Sequence, residues 1–154
     1  MSVVSETLQD VTLVRIPAKL KLYEQLIDAA EPLFELTGKR LDEACKEHAK
    51  NLMFYDLMFQ ECKTIEDSIR AKLDEIESTL YRKYNENHSR ALGTRDIQAY
   101  VKGEPQYFQA YEILLEVVHI KRQLESIVEA LKTLGWSLNN IVKLRIAQME
   151  SIVL

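Results

Sequence analysis

Apolar residues recur at helical spacing along most of this chain. Between Cys62 and Tyr84 they fall at intervals of three, four and four: Cys62, Ile65, Ile69, Leu73, Ile76, Leu80 and Tyr84. Such an 11-residue repeat averages about 3.67 residues per turn and suits a straight or gently right-handed helix. From Ile113 the spacing becomes a heptad: Ile113, Val117, Ile120, Leu124, Ile127, Leu131 and Leu134. The two stripes predict two long helices folded back as an antiparallel pair. Ile65, Ile69, Leu73, Ile76 and Leu80 are expected to face Ile113, Val117, Ile120 and Leu124.

Proline and glycine place the breaks. Residues 1–16 carry no helical period, and Val11–Ile16 reads as an extended N-terminal arm. Pro17 suits the first position of a helix, where a missing N–H costs nothing. Leu20, Tyr23, Leu26, Ile27, Ala30, Leu33 and Phe34 then form one apolar face, which Pro32 interrupts and Gly38 closes. Neither proline nor glycine occurs between Lys39 and Asn87. That predicts a helix roughly 70 Å long, which needs a partner along its length. Gly93 and Gly103 punctuate the connection, with Thr94 as the N-cap of a short helix to Val101. Pro105 opens the second long helix, expected to stop at Gly135. Trp136 then staples and Ser137 caps a final helix to Leu154. The predicted fold is all-α: a long antiparallel helical hairpin with flanking N-terminal and C-terminal helices. Residues 1–16 form its arm and 17–154 a single helical domain.

Two segments carry more apolar surface than one hairpin hides. Leu52–Phe59 is apolar nearly all round, and the last helix ends on Met149, Ile152, Val153 and Leu154. These side chains pack within the chain or between subunits. The second alternative makes Leu52, Phe54, Leu57, Phe59, Leu138, Ile141, Val142, Met149, Ile152 and Val153 oligomerisation residues. They would close a homo-oligomeric ring, expected to hold more than four chains.

Composition narrows the classes. The net charge of −4 disfavours coating of duplex DNA by bulk charge but leaves a local basic groove open. No run of about 18 apolar residues exists, so no membrane span is expected. The N-terminus lacks the basic and apolar regions of a secretory signal. Cys45 and Cys62 lie roughly 25 Å apart along one predicted helix, and read as free thiols of a reducing cytoplasm. Glu116 and His119 have the spacing of half a carboxylate di-iron site, but no second Glu-x-x-His motif completes it. No nucleotide-binding loop, nucleophile elbow or zinc motif occurs. Neither an enzyme nor a cofactor is expected.

The basic residues are more informative. Arg70 and Lys72 lie beside the first stripe, and Arg82 and Lys83 lie between Tyr81 and Tyr84. Arg90, Arg95 and Lys102 follow, with Tyr100 and Tyr107 nearby. Single-stranded DNA is held by cations that track phosphates and by aromatic faces that stack on bases. The other reading is plain: charged residues line solvated helix faces and tyrosines fill the end of a hairpin.

The order of these features resembles the UvsY-type recombination mediators of T-even and related phages. An arm with Arg15-Ile16-Pro17 precedes a long helix with a basic pair, an aromatic and basic end, a turn and a terminal helical pair. Arg70-Ala71-Lys72-Leu73-Asp74 is similar to the family's basic-Ala-basic-Leu-Asp segment. The segment from Asp96 to Gly103 matches as well, and Tyr107 to Ala147 follows the family in helix order and length. Two departures stand out: Asp74, Glu75 and Glu77 follow the basic pair, and the aromatic pair expected soon after it is absent. Tyr81-Arg82-Lys83-Tyr84 is the alternative equivalent, so the DNA contact falls on either cluster. The resemblance implies a non-enzymatic mediator acting as a cyclic oligomer in the cytoplasm, that of the host if the chain is phage-encoded. Such a protein binds single-stranded DNA, contacts the single-strand-binding protein and a RecA-like recombinase, and helps load the recombinase onto coated DNA. A different class remains beside it: a helical phage or bacterial assembly or scaffolding adaptor with no nucleic acid partner.

Overall fold

The computed structural model describes residues 3–87 and 92–151, with side chains over 15–87 and 92–148. Arg90, Ile152 and Val153, and the side chain of Met149, lie outside these ranges. The elements are α1 (Val3–Asp28), a 3-10 turn (Glu31–Phe34), α2 (Leu41–Asn87), α3 (Thr94–Gly103) and α4 (Pro105–Ser151). Among the described residues there is no strand.

The arm expected before Pro17 is helical from Val3 onward, and Pro17 lies inside α1. Its ring removes one intrahelical hydrogen bond, and burial of Ile16 and Leu20 on either side compensates. At the far end of α1 the Ala30 N–H turns back to the Ile27 carbonyl at 3.1 Å. The Leu26 carbonyl thereby loses its usual donor. The buried Tyr55 hydroxyl of α2 donates to it instead, at 2.8 Å. Pro32 breaks the helix as expected and sits in the 3-10 turn. Gly38 has φ +77°, a left-handed conformation that strains any residue with a Cβ. Asp42 and Glu43 then place acidic charge at the positive end of the α2 dipole.

Two further breaks differ from expectation. Thr94 is the first residue of α3 rather than its cap; the cap is Gly93, in extended conformation and without a side-chain hydrogen bond. More consequentially, Gly135 does not end α4, which runs on to Ser151. The Ser137 hydroxyl donates to the Thr133 carbonyl one turn back, inside the helix. Gly135 is there for space: a Cβ on it would lie 2.7 Å from Cε1 of His48.

The chain forms two compact units. The first comprises Met1–Leu20 and Cys62–Ile120. Here the Cys62 thiol points at the Val117 carbonyl, 3.6 Å away, while Arg70, Leu73, Asp74 and Glu77 border Tyr107, Tyr111 and Leu114. Rising numbers on α2 meet falling numbers on α4, so these segments are antiparallel. Cys62, Ile69, Leu73, Leu80, Ala110, Leu114, Val117 and Ile120 are buried. The buried positions of α4 keep a seven-residue repeat (Ala110, Val117, Leu124, Leu131, Leu138), with Leu114 and Val128 buried where the sequence reading had Ile113 and Ile127. Ile97 and Val101 seat α3 on Leu80, flanked by Ile76, Tyr81, Tyr84, Leu92 and Tyr107.

The second unit comprises Lys21–Glu61 and Lys121–Leu154. Its core contains Tyr23, Tyr55, Met58, Leu124, Val128, Leu131 and Leu138, and the Tyr23 hydroxyl donates to Glu61 at 2.5 Å. His48 pairs with Leu131, so by that register the start of α2 at Leu41 falls opposite Leu138. Beyond Leu138 the α4 helix has no α2 left to pack on. No residue from 139 to 148 is buried, and Ile141, Leu144 and Ile146 are exposed.

Candidate nucleic-acid interface

Of the two basic clusters, the one around Arg70 is committed to its own helix. The Arg70 guanidinium donates to Glu66 Oε1 from Nε at 3.1 Å and from a terminal nitrogen at 2.8 Å. Glu66 is only 8% exposed, and a carboxylate that buried needs paired charge, which Arg70 helps to supply. Lys72 pairs with Glu75 at 3.0 Å. Beside them is a groove of about 350 Å³ lined by Arg70, Leu73, Asp74, Glu77, Tyr107, Tyr111 and Leu114. Its carboxylates outnumber its single, already paired guanidinium, so the local field repels phosphate. The Tyr107 hydroxyl registers that field: burial first, then Glu77, Tyr111 and Asp74, raise its pKa above the ordinary tyrosine value.

The second cluster gathers around the end of α2 and the docked α3. Tyr84 stacks on Tyr100 with centroids 5.5 Å apart and planes at 22°. The Tyr84 hydroxyl donates to Glu104, a bond that raises its pKa together with burial and charge. Lys83 sits 5.8 Å from the Tyr84 ring centre and 4.0 Å from Glu104. Tyr100 is half exposed. Arg82, Arg95 and Lys102 are exposed.

Helical geometry distributes these cations. Arg95 and Lys102 are seven residues apart and share one face of α3, with Tyr100 about 140–160° away around the axis. Arg82 likewise lies about 160° around α2 from Tyr84. Lys83, Tyr84 and Tyr100 therefore form one surface, and Arg82 and the Arg95–Lys102 pair flank it on others. Tyr81 is half buried in the Leu80 cluster and is packing rather than platform.

The apolar residues expected at subunit contacts divide similarly. Phe54 and Leu57 are exposed on α2, with Met53 beside them on the same side. Leu52, Phe59 and Val142 are half buried, Ile141 is exposed, and Leu138 is buried inside its own unit. Leu138 is therefore core here, the within-chain alternative that the sequence left open for it.

One feature of the second unit escaped the sequence reading. Trp136 is 71% exposed and borders a groove of about 390 Å³ lined by His48, Leu52, Lys132, Gly135, Trp136 and Asn139. Taking Gly135 as a stop divides Lys132, Trp136, Asn139 and Lys143 between two elements and conceals their common helical spacing.

Glu116 and His119 are both exposed, and among the described residues no three histidine, cysteine or acidic side chains are placed to hold a metal. No helix among them is long and apolar enough to cross a membrane. No model of a known protein family matches this chain, and neither a curated protein nor a solved structure is significantly similar to it.

Proposed function

We propose that this chain is a non-enzymatic helical assembly protein that binds single-stranded DNA, the activity of a UvsY-type recombination mediator. The observation that carries the proposal is the surface around Tyr84 and Tyr100. A stacked tyrosine pair with one exposed ring has Lys83 over the Tyr84 ring, and exposed Arg82, Arg95 and Lys102 stand on the flanking faces of the same two helices. Stacking and phosphate neutralisation on that scale give weak binding by one copy. Self-association would then multiply it, because linked sites raise effective concentration. Exposed Met53, Phe54 and Leu57 on α2, and Ile141 and Leu144 on α4, supply apolar surface for that association. In this reading the assembly also meets a RecA-like recombinase and the single-strand-binding protein, and eases exchange of one for the other.

A second reading, an assembly or scaffolding adaptor with no nucleic acid partner, draws support from the internal pairing of Arg70 and Lys72 with Glu66 and Glu75. Fluorescence anisotropy of a labelled oligonucleotide at low salt separates the two. The mediator reading expects single strands to bind, and to bind more tightly than duplex of the same length. Absence of binding by folded protein selects the adaptor.

A further inference from the structure

We propose that the outer face of α4 in the second unit is a separate contact strip for single-stranded nucleic acid, built from Lys132, Trp136, Asn139 and Lys143. These residues stand at intervals of four, three and four, so they stack along one side of the helix. The strip exists because α4 continues through Gly135. Lys132 and Lys143 are then roughly 16 Å apart along the axis, with an exposed indole and an exposed amide between them.

Each component matches a part of the ligand. Trp136 offers most of its surface to solvent, and nothing in the unit's core requires an indole there. An exposed aromatic between cations is what base stacking uses, and stacking tolerates any sequence. Lys143 is exposed and makes no ion pair among the described residues. Lys132 pairs with Glu129 at 2.7 Å, with both partners more than half exposed. The Lys72 side chain is only 26% exposed in its pair, whereas a pair exposed on both sides, as here, contributes little. The Asn139 amide lies on the groove wall beside Trp136 and supplies hydrogen bonds to base edges or sugar.

Charge argues for a polyanion over an apolar partner. From Ala130 to Met149 the sequence contains no aspartate or glutamate, yet it holds Lys132, Lys143 and Arg145 in a chain of net charge −4; the carboxylates of Glu129, Asp56 and Glu125 act on Lys132, at the strip's N-terminal end. Ile141 and Leu144 face away from the strip's centre, while Leu52 lines the groove beside Trp136 and exposed Ile146 continues the face beyond Lys143.

The strip deepens the proposed function without depending on the tyrosine surface of the first unit, and its test keeps the two apart. Trp136 is the only tryptophan among seven tyrosines, so indole emission excited at wavelengths that tyrosine does not absorb reports on this strip. Oligo-dT should quench it at low salt, and added salt should reverse the quenching. In parallel, anisotropy of a labelled oligonucleotide reports binding anywhere on the protein. Lys132→Gln with Lys143→Gln should lower the salt slope by about 1.4, and Trp136→Ala should weaken binding about tenfold. Arg82→Gln with Arg95→Gln should leave the Trp136 quenching in place. Binding seen by anisotropy with unchanged Trp136 emission overturns the strip while the proposed function stands. Emission that responds only to anionic vesicles, or only to protein concentration, overturns it in favour of a membrane surface or a subunit contact. No response in either channel sinks the strip and the proposed function together.

Discussion

His48 and Gly135 fit as ring and hollow: the imidazole occupies the volume that a side chain at position 135 would need, 2.7 Å from Cε1 to an added Cβ. The ring is held by its Nε2–H, which donates to the Leu131 carbonyl at 2.6 Å. That carbonyl also belongs to the helical turn that Gly135 closes, so a histidine of α2 is latched onto α4 through a missing Cβ. In an isolated helix glycine costs about 1 kcal/mol relative to alanine. Gly135→Ala is nonetheless expected to destabilise the protein by about 1–3 kcal/mol, because the imidazole must move. With His48→Ala already in place the same change should stabilise by about 0.5–1 kcal/mol. Chemical denaturation of the four proteins in this cycle measures the coupling, and additive effects would contradict the latch.

Arg70 separates a structural cation from a binding one. Arg70→Ala should cost about 1 kcal/mol through loss of the two hydrogen bonds to the buried Glu66 carboxylate, tempered by the exposure of the guanidinium. Glu66→Gln in the same chain should recover most of it. Strand affinity should stay within about twofold; a large loss with stability restored would return the DNA contact to this cluster.

Tyr55 links burial to alkaline stability. Its hydroxyl donates to the Leu26 carbonyl and burial raises its pKa above the ordinary value of 10.0. The raised folded value means its contribution is complete below the unfolded pKa. It is lost as pH rises through that value towards the folded one. Tyr84 and Tyr107 shift in the same direction. Melting temperature should therefore fall above about pH 10. Tyr55→Phe should cost about 1 kcal/mol at neutral pH and make the alkaline decline shallower. An unchanged alkaline profile in that variant would count against the assignment.

The apolar surface of the second unit predicts self-association. Light scattering at micromolar concentration should report an assembly of several chains. Met53→Asp with Leu57→Asp should shift it to smaller species without unfolding, since both side chains are exposed. A wild-type monomer would remove multivalency from the account.

Much of the fold was legible because its signals are local. The proline- and glycine-free stretch became α2, Pro105 became the first residue of α4, and Pro32 and Gly38 mark the turn between α1 and α2. What failed was long-range. Gly135 carries the same letter whether it ends a helix or admits a histidine from another one, and its partner lies far away in sequence. Pro17 likewise signals a helix start unless neighbours such as Ile16 and Leu20 hold the turn by burial. At the candidate site, sequence supplied the cations and tyrosines but not their pairing. Which arginine faces Glu66 and which tyrosine stacks on Tyr100 are properties of helix phase and of α3 docking.

The most direct measurement is the salt dependence of single-strand affinity for the intact protein and for a folded variant with Arg82, Lys83, Arg95 and Lys102 changed to glutamine. Each phosphate neutralised contributes about 0.7 to the slope of log affinity against log salt. The intact protein is expected to bind, with a slope lower by about 2–3 in the variant. Equal affinity and equal slope in the two proteins would contradict it.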